Sequence, residues 1–224
     1  MPTDATNEST SSLWRDVVEI ALVCAIALVF SRTFVFQQSN IPSGSMEETL
    51  LVGDYIMVNR FVYAPAPSPL AQRLLPVAPI RRGDVVVFQH PEQPELQYIK
   101  RVVGLPGDEV EIREASVWID GERQQEPWVD DAHRKGFRDM APTRVPEGHY
   151  FVLGDHRNSS SDSQEWGPVD ARTIRGRAVL IWWSFKESAE IVPRGPLRRA
   201  ADLTRKLVLF PVRTRWERCL RRIE

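Results

Sequence analysis

Residues 97–121 read QYIKRVVGLPGDEVEIREASVWIDG, and they indicate the fold class more clearly than any other stretch of the chain. Three short runs rich in valine, isoleucine and aromatic residues follow one another here, at 97–103, 109–113 and 116–120. Turn-forming pairs, Gly107-Asp108 and Asp120-Gly121, follow the first and the last run. Short strands bounded by such pairs are typical of antiparallel sheets, because an Asp-Gly pair favours a tight hairpin turn.

The same pattern continues on both sides of this stretch. Further strands are predicted at 55–59, 85–89, 150–153 and 177–184, with Gly-Asp pairs beside several of them. Long helical patterns do not intervene, so the sequence predicts a mainly β domain over 37–192, an antiparallel sheet or barrel-like fold. Two segments interrupt it and are predicted to be surface insertions: a proline-rich one at about 63–82 and a polar one at about 122–147.

The N-terminal region contains the longest apolar stretch. Residues 20–30 form an uncharged run of eleven, and 17–36 contain only Glu19 and Arg32 as charges. A bilayer span needs about 20 mostly apolar residues. We therefore predict a disordered tail at 1–12 and a transmembrane anchor at 13–36, with a cleaved signal peptide or a buried helix as alternatives. The region before the apolar run is acidic, unlike the basic start of a signal peptide.

Charge is distributed unevenly along the 224 residues. The formal net charge of −1 gives no reason to expect nucleic acid as a partner. The segment 193–224, however, carries ten basic residues against three acidic ones, and we predict a basic C-terminal extension there. It is either a solvated helix or loose end, or an interfacial segment on anionic lipid. The two cysteines, Cys24 and Cys219, lack the spacing of a metal or redox site.

A candidate nucleophile lies shortly after the apolar stretch. Residues 42–50 read PSGSMEETL, and Ser45 is nine residues beyond Phe36. Nine extended residues span roughly 30 Å, so chemistry at Ser45 would take place near a membrane surface. A serine hydroxyl needs a base to remove its proton. Among four histidines, His156 is the best placed for a serine–histidine arrangement, since it lies near Asp155 and Asp162 in the sequence.

A lysine is the other candidate base. Side chains alternate along a strand, so Lys100 shares a face with Tyr98, whereas Arg101 lies on the opposite face. One of these two cations must therefore point toward apolar neighbours. Burial lowers the pKa of a lysine, and the neutral amine can then accept the serine proton, which arginine cannot do. The pattern alone does not distinguish a buried Lys100 from an ordinary surface lysine.

Three motifs in order resemble those of bacterial type I signal peptidases. Ser43-Gly44-Ser45-Met46 with 53–58 resembles the family's nucleophile motif, 100–108 its lysine motif, and 154–163 its C-terminal motif. The similarity covers about residues 13–185. It implies an all-β catalytic domain, tethered by an N-terminal helix, that removes signal peptides from exported preproteins by cutting after small residues.

The resemblance also implies roles for individual residues. Ser45 would be the nucleophile and Lys100 the general base, while Ser43 would join the Ser45 N–H in stabilising the oxyanion. Ser160 would hydrogen-bond the lysine amine and Asp162 would hold the last motif in shape. The positions that match the family's substrate cleft are Met46, Leu50, Tyr98 and Ile99. Three positions depart from the usual motifs: Glu48 replaces a proline, His156 an asparagine and Gln164 an arginine.

The expected setting is the inner (cytoplasmic) membrane, crossed once, with the catalytic domain on the extracytoplasmic side. Preproteins and the lipid bilayer are the expected partners, and contact with the protein export machinery is a further expectation. No metal or organic cofactor is expected. Two alternatives remain open: a specialised serine–lysine maturation peptidase, of the pilin type for example, and a non-catalytic membrane-tethered β module that binds extended peptides.

Overall fold

Strands dominate the computed structural model, which describes residues 5–30, 36–63, 77–186 and 210–223. The strands are β1 (Phe36–Asn40), β2 (Asp54–Asn59), β3 (Val85–Gln89), β4 (Gln97–Gly104), β5 (Glu109–Arg113), β6 (Ser116–Ile119), β7 (Glu122–Arg123), β8 (Met140–Arg144), β9 (His149–Leu153), β10 (Val169–Asp170), β11 (Ile174–Ser184) and β12 (Arg221–Arg222). The helices are α1 (Ala5–Phe30), α2 (Asp131–Arg134) and α3 (Ser163–Trp166).

The strands form two antiparallel sheets. The larger sheet has the order β1-β2-β11-β3-β4-β9-β10, with β12 paired to β11. The smaller one has the order β7-β6-β5-β8. The prediction of a mainly antiparallel β domain is therefore confirmed. In the described part of the chain, hydrogen bonding does not close the larger sheet into a barrel, since β1 and β10 stand at its two ends.

All seven predicted strands occur, with bounds that differ by a few residues at most. The segment 122–147 is more ordered than a surface excursion, because it contains β8, which pairs with β5. The sequence of β8, Met-Ala-Pro-Thr-Arg, does not indicate a strand, because it lacks the alternation of apolar residues that identifies a half-buried strand. The strand itself is largely exposed. Of the proline-rich insertion at 63–82, residues 64–76 lie outside the described residues.

The two sheets approach each other closely where β4 ends. A Cβ atom on Gly104 would lie 2.6 Å from Val110 Cγ2 and 3.0 Å from Phe151 Cβ, so only glycine fits there. Val110 belongs to the smaller sheet and Phe151 to the larger one, and both side chains are fully buried in one apolar cluster. A second cluster packs β2, β3 and β11 against the segment between β1 and β2, which carries Ser45.

The N-terminal helix differs from the sequence prediction at its start. α1 begins at Ala5, within the segment predicted as a disordered tail, whereas residues 1–4 lie outside the described residues. Extending an existing helix adds one hydrogen bond for each residue fixed, so the polar residues continue the helix of the apolar run. Among the described residues, no helix combines the length and the apolar composition that crossing a bilayer requires.

The end of the basic extension is part of the β domain. Residues 187–209 lie outside the described residues, but β12 pairs with β11 and Ile223 is buried in the core. Asp54 is fully buried and accepts hydrogen bonds from Arg218 Nη2 at 2.6 Å and from Arg215 Nη1 at 3.3 Å. For 210–223, neither a loose end nor a wholly interfacial segment describes the structure, because this buried carboxylate needs the two arginines to balance its charge.

We predict that Arg218→Met lowers the free energy of unfolding by about 3 kcal/mol, since breaking a buried ion pair leaves its carboxylate poorly compensated. Arg222→Met is the matched control: Arg222 is an exposed arginine in the same segment. Its effect should stay within about 0.5 kcal/mol. Chemical denaturation of the detergent-solubilised protein measures both. Equal stabilities of the two variants would contradict the assigned role of Arg218.

Candidate active site

Ser45 lies in the turn-rich segment between β1 and β2. The Leu50 N–H donates to the Met46 carbonyl at 2.7 Å, which closes one helical turn just after the serine. Residues four apart in such a turn share a face, and Met46 and Leu50 are both completely buried in the core. Their place in the wall of a substrate cleft stays a prediction, and in this structure both side chains lie inside the core. They anchor the serine-bearing segment to the sheet.

Lys100 reaches Ser45 from the middle of β4. Its Nζ lies 2.7 Å from Ser45 Oγ, within hydrogen-bonding distance, and the residue is only 3% exposed. Burial lowers the pKa of Lys100 from 10.5 to about 8, although the negative charges of Asp162, Asp155 and Glu165 act in the opposite direction. Of the two cations at 100 and 101, lysine is thus the one that faces the serine, and a sizeable fraction of its amine is neutral near pH 8.

Arg101, the neighbour of Lys100, is completely buried and forms an ion pair that the sequence analysis missed. Its Nε and Nη2 donate to the two carboxylate oxygens of Asp155 at 2.9 and 2.8 Å. Nη2 also donates to Thr49 Oγ1 at 3.0 Å, and Thr49 donates to Asp155 at 2.5 Å. This network ties β4, the end of β9 and the segment that carries Ser45 together.

The third motif folds against the serine from the end of β9. The His156 N–H donates to the Ser45 carbonyl at 3.2 Å. Gly154 permits this close approach, because a Cβ there would collide with the Ser45 carbonyl oxygen and the Ser160 hydroxyl. Asp162 is completely buried; it accepts from the N–H groups of Gly154 at 3.1 Å and Gln164 at 3.2 Å. Burial raises the pKa of Asp162, against the effect of these two donors.

Ser160 differs from its expected arrangement. Its hydroxyl acts as a hydrogen-bond donor toward the Asp162 carboxylate, and among the described residues it does not bind the Lys100 amine. Lys100 uses Ser45 as its side-chain partner instead.

The remaining predicted site residues are accessible. Ser43 is exposed, and neither its hydroxyl nor the Ser45 N–H donates to an acceptor within the described ranges. Tyr98 and Ile99 are partly exposed on β4, directly before Lys100. The Tyr98 ring packs on His90, with 4.6 Å between ring centroids, and its own centroid lies 5.8 Å from Lys100 Nζ.

His156 is not placed to act as the base for Ser45. Its ring Nδ1 lies 3.2 Å from the Gly44 carbonyl and 3.2 Å from Glu47 Oε2, and it contacts Ser45 through the backbone N–H. A general base must lie within hydrogen-bonding distance of the proton that it removes. The geometry therefore favours Lys100 over His156, the alternative that the sequence left open.

Comparison with known proteins identifies relatives along most of the chain. The family described as "Signal peptidase, peptidase S26" matches residues 14–183. Signal peptidase I of Pseudomonas aeruginosa is 36% identical over 201 residues, covering 74% of this chain and 70% of that protein. Signal peptidase I of Leptolyngbya laminosa is 34% identical, covering 86% and 90%. A crystal structure of a signal peptidase I from Enterococcus faecalis is 32% identical, covers 45% of this chain and 97% of that one, and has a TM-score of 0.41.

We predict that Lys100→Met stabilises the protein at pH 7 and that this gain shrinks as the pH rises. The folded pKa of about 8 lies below the unfolded value of 10.5, so the unfolded chain binds more protons between these values and wild-type stability increases with pH. The gain should fall from about 3 kcal/mol at pH 7 to about 1 kcal/mol at pH 10.

Denaturation curves of wild type and variant at several pH values measure this difference. Lys135→Met serves as the control, since Lys135 is an exposed lysine of the same domain. A gain that is independent of pH, or equal in the two variants, would contradict the burial of a titrating Lys100 amine.

Proposed function

Because this chain belongs to the signal peptidases of the peptidase S26 family, and is therefore a serine endopeptidase, we propose that Ser45 is its nucleophile and Lys100 its general base. One observation carries the assignment: the buried Lys100 Nζ lies 2.7 Å from Ser45 Oγ. The proposed reaction is removal of N-terminal signal peptides from exported preproteins by hydrolysis of one peptide bond.

In the proposed mechanism, the neutral Lys100 amine accepts the proton of the Ser45 hydroxyl while the oxygen attacks the scissile carbonyl carbon. The resulting lysine ammonium then gives a proton to the leaving amine of the mature protein. The signal peptide stays bound to Ser45 as an ester. Lys100 next removes a proton from water, and the water oxygen attacks the ester carbonyl. The ester bond then breaks, the Lys100 ammonium returns the proton to Ser45 Oγ, and the signal peptide leaves with a free carboxyl group. The amine alternates between its two protonation states and needs no other base.

Two donors are proposed to stabilise the oxyanion that forms at the carbonyl. The Ser45 N–H and the Ser43 hydroxyl donate to no acceptor among the described residues, and Ser43 is exposed to solvent. A donor of this type is typically worth about 3–4 kcal/mol in the transition state. Ser160 and Asp162 are proposed as supporting residues. Asp162 accepts a hydrogen bond from the Gly154 N–H, and the Ser160 hydroxyl lies beside Gly154, which packs against the Ser45 carbonyl.

Substrate selection is proposed to involve Tyr98 and Ile99. Both are bulky, partly exposed and adjacent to Lys100, so pockets beside them would accept alanine-sized side chains and exclude larger ones. An extended substrate segment would bind through backbone hydrogen bonds, as a strand added beside the site. The proposed substrates are therefore preproteins with small residues before the cleavage point.

A membrane location near the extracytoplasmic surface is also proposed, with residues 13–36 as the anchor. The apolar side chains of α1 support it: Val17, Ile20, Leu22 and Ile26 are 54–64% exposed, and such a helix is expected to bury them in lipid. In the C-terminal segment, Val212, Trp216 and Leu220 are 56–81% exposed and add a second apolar surface that suits a bilayer interface. Contact with the export machinery stays a prediction.

We predict that Ser45→Ala and Lys100→Met each reduce cleavage of a preprotein roughly 10⁴-fold or more, since each removes one member of a pair that acts as a unit. Mass spectrometry of the products identifies the cleaved bond, and Lys135→Met should retain wild-type rates. If Lys100→Met were still active, the lysine base would be excluded. If the protein bound preproteins without cutting them, it would be a peptide-binding module, and cleavage of a single pilin-like substrate would indicate a specialised maturation peptidase.

The pH profile tests the base independently. Only the neutral amine accepts the serine proton, so kcat/KM should rise tenfold per pH unit below an apparent pKa of about 8 and level off above it. Peptide cleavage at low substrate concentration between pH 6 and pH 10 measures the profile. His156→Ala should leave its midpoint in place. A profile that already reaches its plateau near pH 6 would point to a base other than Lys100.

A further inference from the structure

Two histidines and a glutamate meet beside the segment that carries Ser45. Glu47, His133 and His156 each offer one ligand atom, and these atoms lie within 4.8 Å of one another. The two imidazole rings are in contact, with 4.1 Å between their centroids. His156 Nδ1 lies 3.2 Å from Glu47 Oε2. The three residues come from separate parts of the chain: the turn after Ser45, helix α2 and the end of β9.

We propose that Glu47, His133 and His156 bind a divalent transition-metal ion of the zinc type. Two imidazoles and a carboxylate form a ligand set that suits zinc, whereas calcium and magnesium prefer oxygen ligands alone. The ligand atoms of a tetrahedral zinc site lie about 3.3 Å apart, so the cluster has to close by about 1.5 Å at its widest. Glu47 is 39% exposed at its side chain and is free to rotate inward.

The surroundings of His133 favour a cation. Its Nδ1 is buried and has no hydrogen-bond partner among the described residues, although Glu48 Oε1 lies 3.5 Å away. Glu48, Asp130 and His133 form a second group of adjacent ligand atoms, so a further carboxylate is available to complete the coordination. Glu48 and His156 are also two of the three positions at which the sequence departs from the usual family motifs.

The position of the site couples it to the nucleophile. The His156 N–H donates to the Ser45 carbonyl, and the Glu47 N–H donates to the Gly44 carbonyl. An ion held by the side chains of Glu47 and His156 would therefore join the two segments that already contact each other through the backbone of the Ser45 turn. Binding of this ion does not depend on the catalytic roles proposed for Ser45 and Lys100.

Isothermal titration of the full-length, detergent-solubilised protein with zinc chloride, after removal of metals by a chelator, tests the site. We expect one equivalent of zinc to bind to wild type. His133→Ala, His156→Ala and Glu47→Gln should each weaken binding at least tenfold, because each removes one ligand. Ser45→Ala should bind as wild type does, and this variant separates ion binding from the proposed catalysis.

His149→Ala is the matched control, since His149 lies in the same domain and its Nδ1 is 3.0 Å from the Glu147 carbonyl, outside the cluster. Circular dichroism without metal confirms that each variant is folded, and Glu47→Gln keeps the test decisive if a histidine variant unfolds. The proposal is overturned if wild type binds no zinc, if the cluster variants bind it as tightly as wild type, or if His149→Ala weakens binding equally.

Discussion

The direction in which Lys100 points depends on the ion pair formed by its neighbour on β4. Arg101 is completely buried and binds both carboxylate oxygens of Asp155. Successive side chains of a strand point to opposite faces, so fixing Arg101 on one face directs Lys100 to the other, toward Ser45. A slip of one residue would exchange the two cations and present the serine with a guanidinium, which does not act as a base at ordinary pH.

Nearby carboxylates limit how far the pKa of Lys100 falls. Burial alone disfavours the ammonium, but the carboxylates of Asp162 and Asp155 stabilise it, and the resulting pKa is about 8. A lower value would give a larger neutral fraction but a weaker base, whereas a higher value would leave the amine protonated. A pKa near the working pH suits a group that must accept a proton in one step and donate it in the next. Holding this partly charged group in the interior opposes stability.

The sequence predicts the elements well and their long-range contacts poorly. Strand runs and their alternation are local, so β4 and the placement of Lys100 and Arg101 on opposite faces follow from them, whereas the cation that faces Ser45 does not, because both residues are buried. The ion pair of Asp155 with Arg101 joins residues 54 positions apart, and that of Asp54 with Arg218 joins residues 164 apart. Nothing in the local pattern marks such partners; Gly-Asp pairs indicate turns whether or not the carboxylate is buried. The motif match likewise assigned Met46 and Leu50 by position, and position carries no information about exposure.

The segment that carries Ser45 is held from three directions. Met46 and Leu50 anchor it in the core, Arg101 and Asp155 bind the Thr49 hydroxyl, and Arg218 Nη2 donates to the Thr49 carbonyl at 2.9 Å. These contacts hold the segment before and after residues 47 and 48. Between these anchors, the Glu47 and Glu48 side chains contact His156 and His133 and are partly exposed to solvent. A change of charge at Glu47 or Glu48 therefore acts between two anchored parts of the segment that carries Ser45.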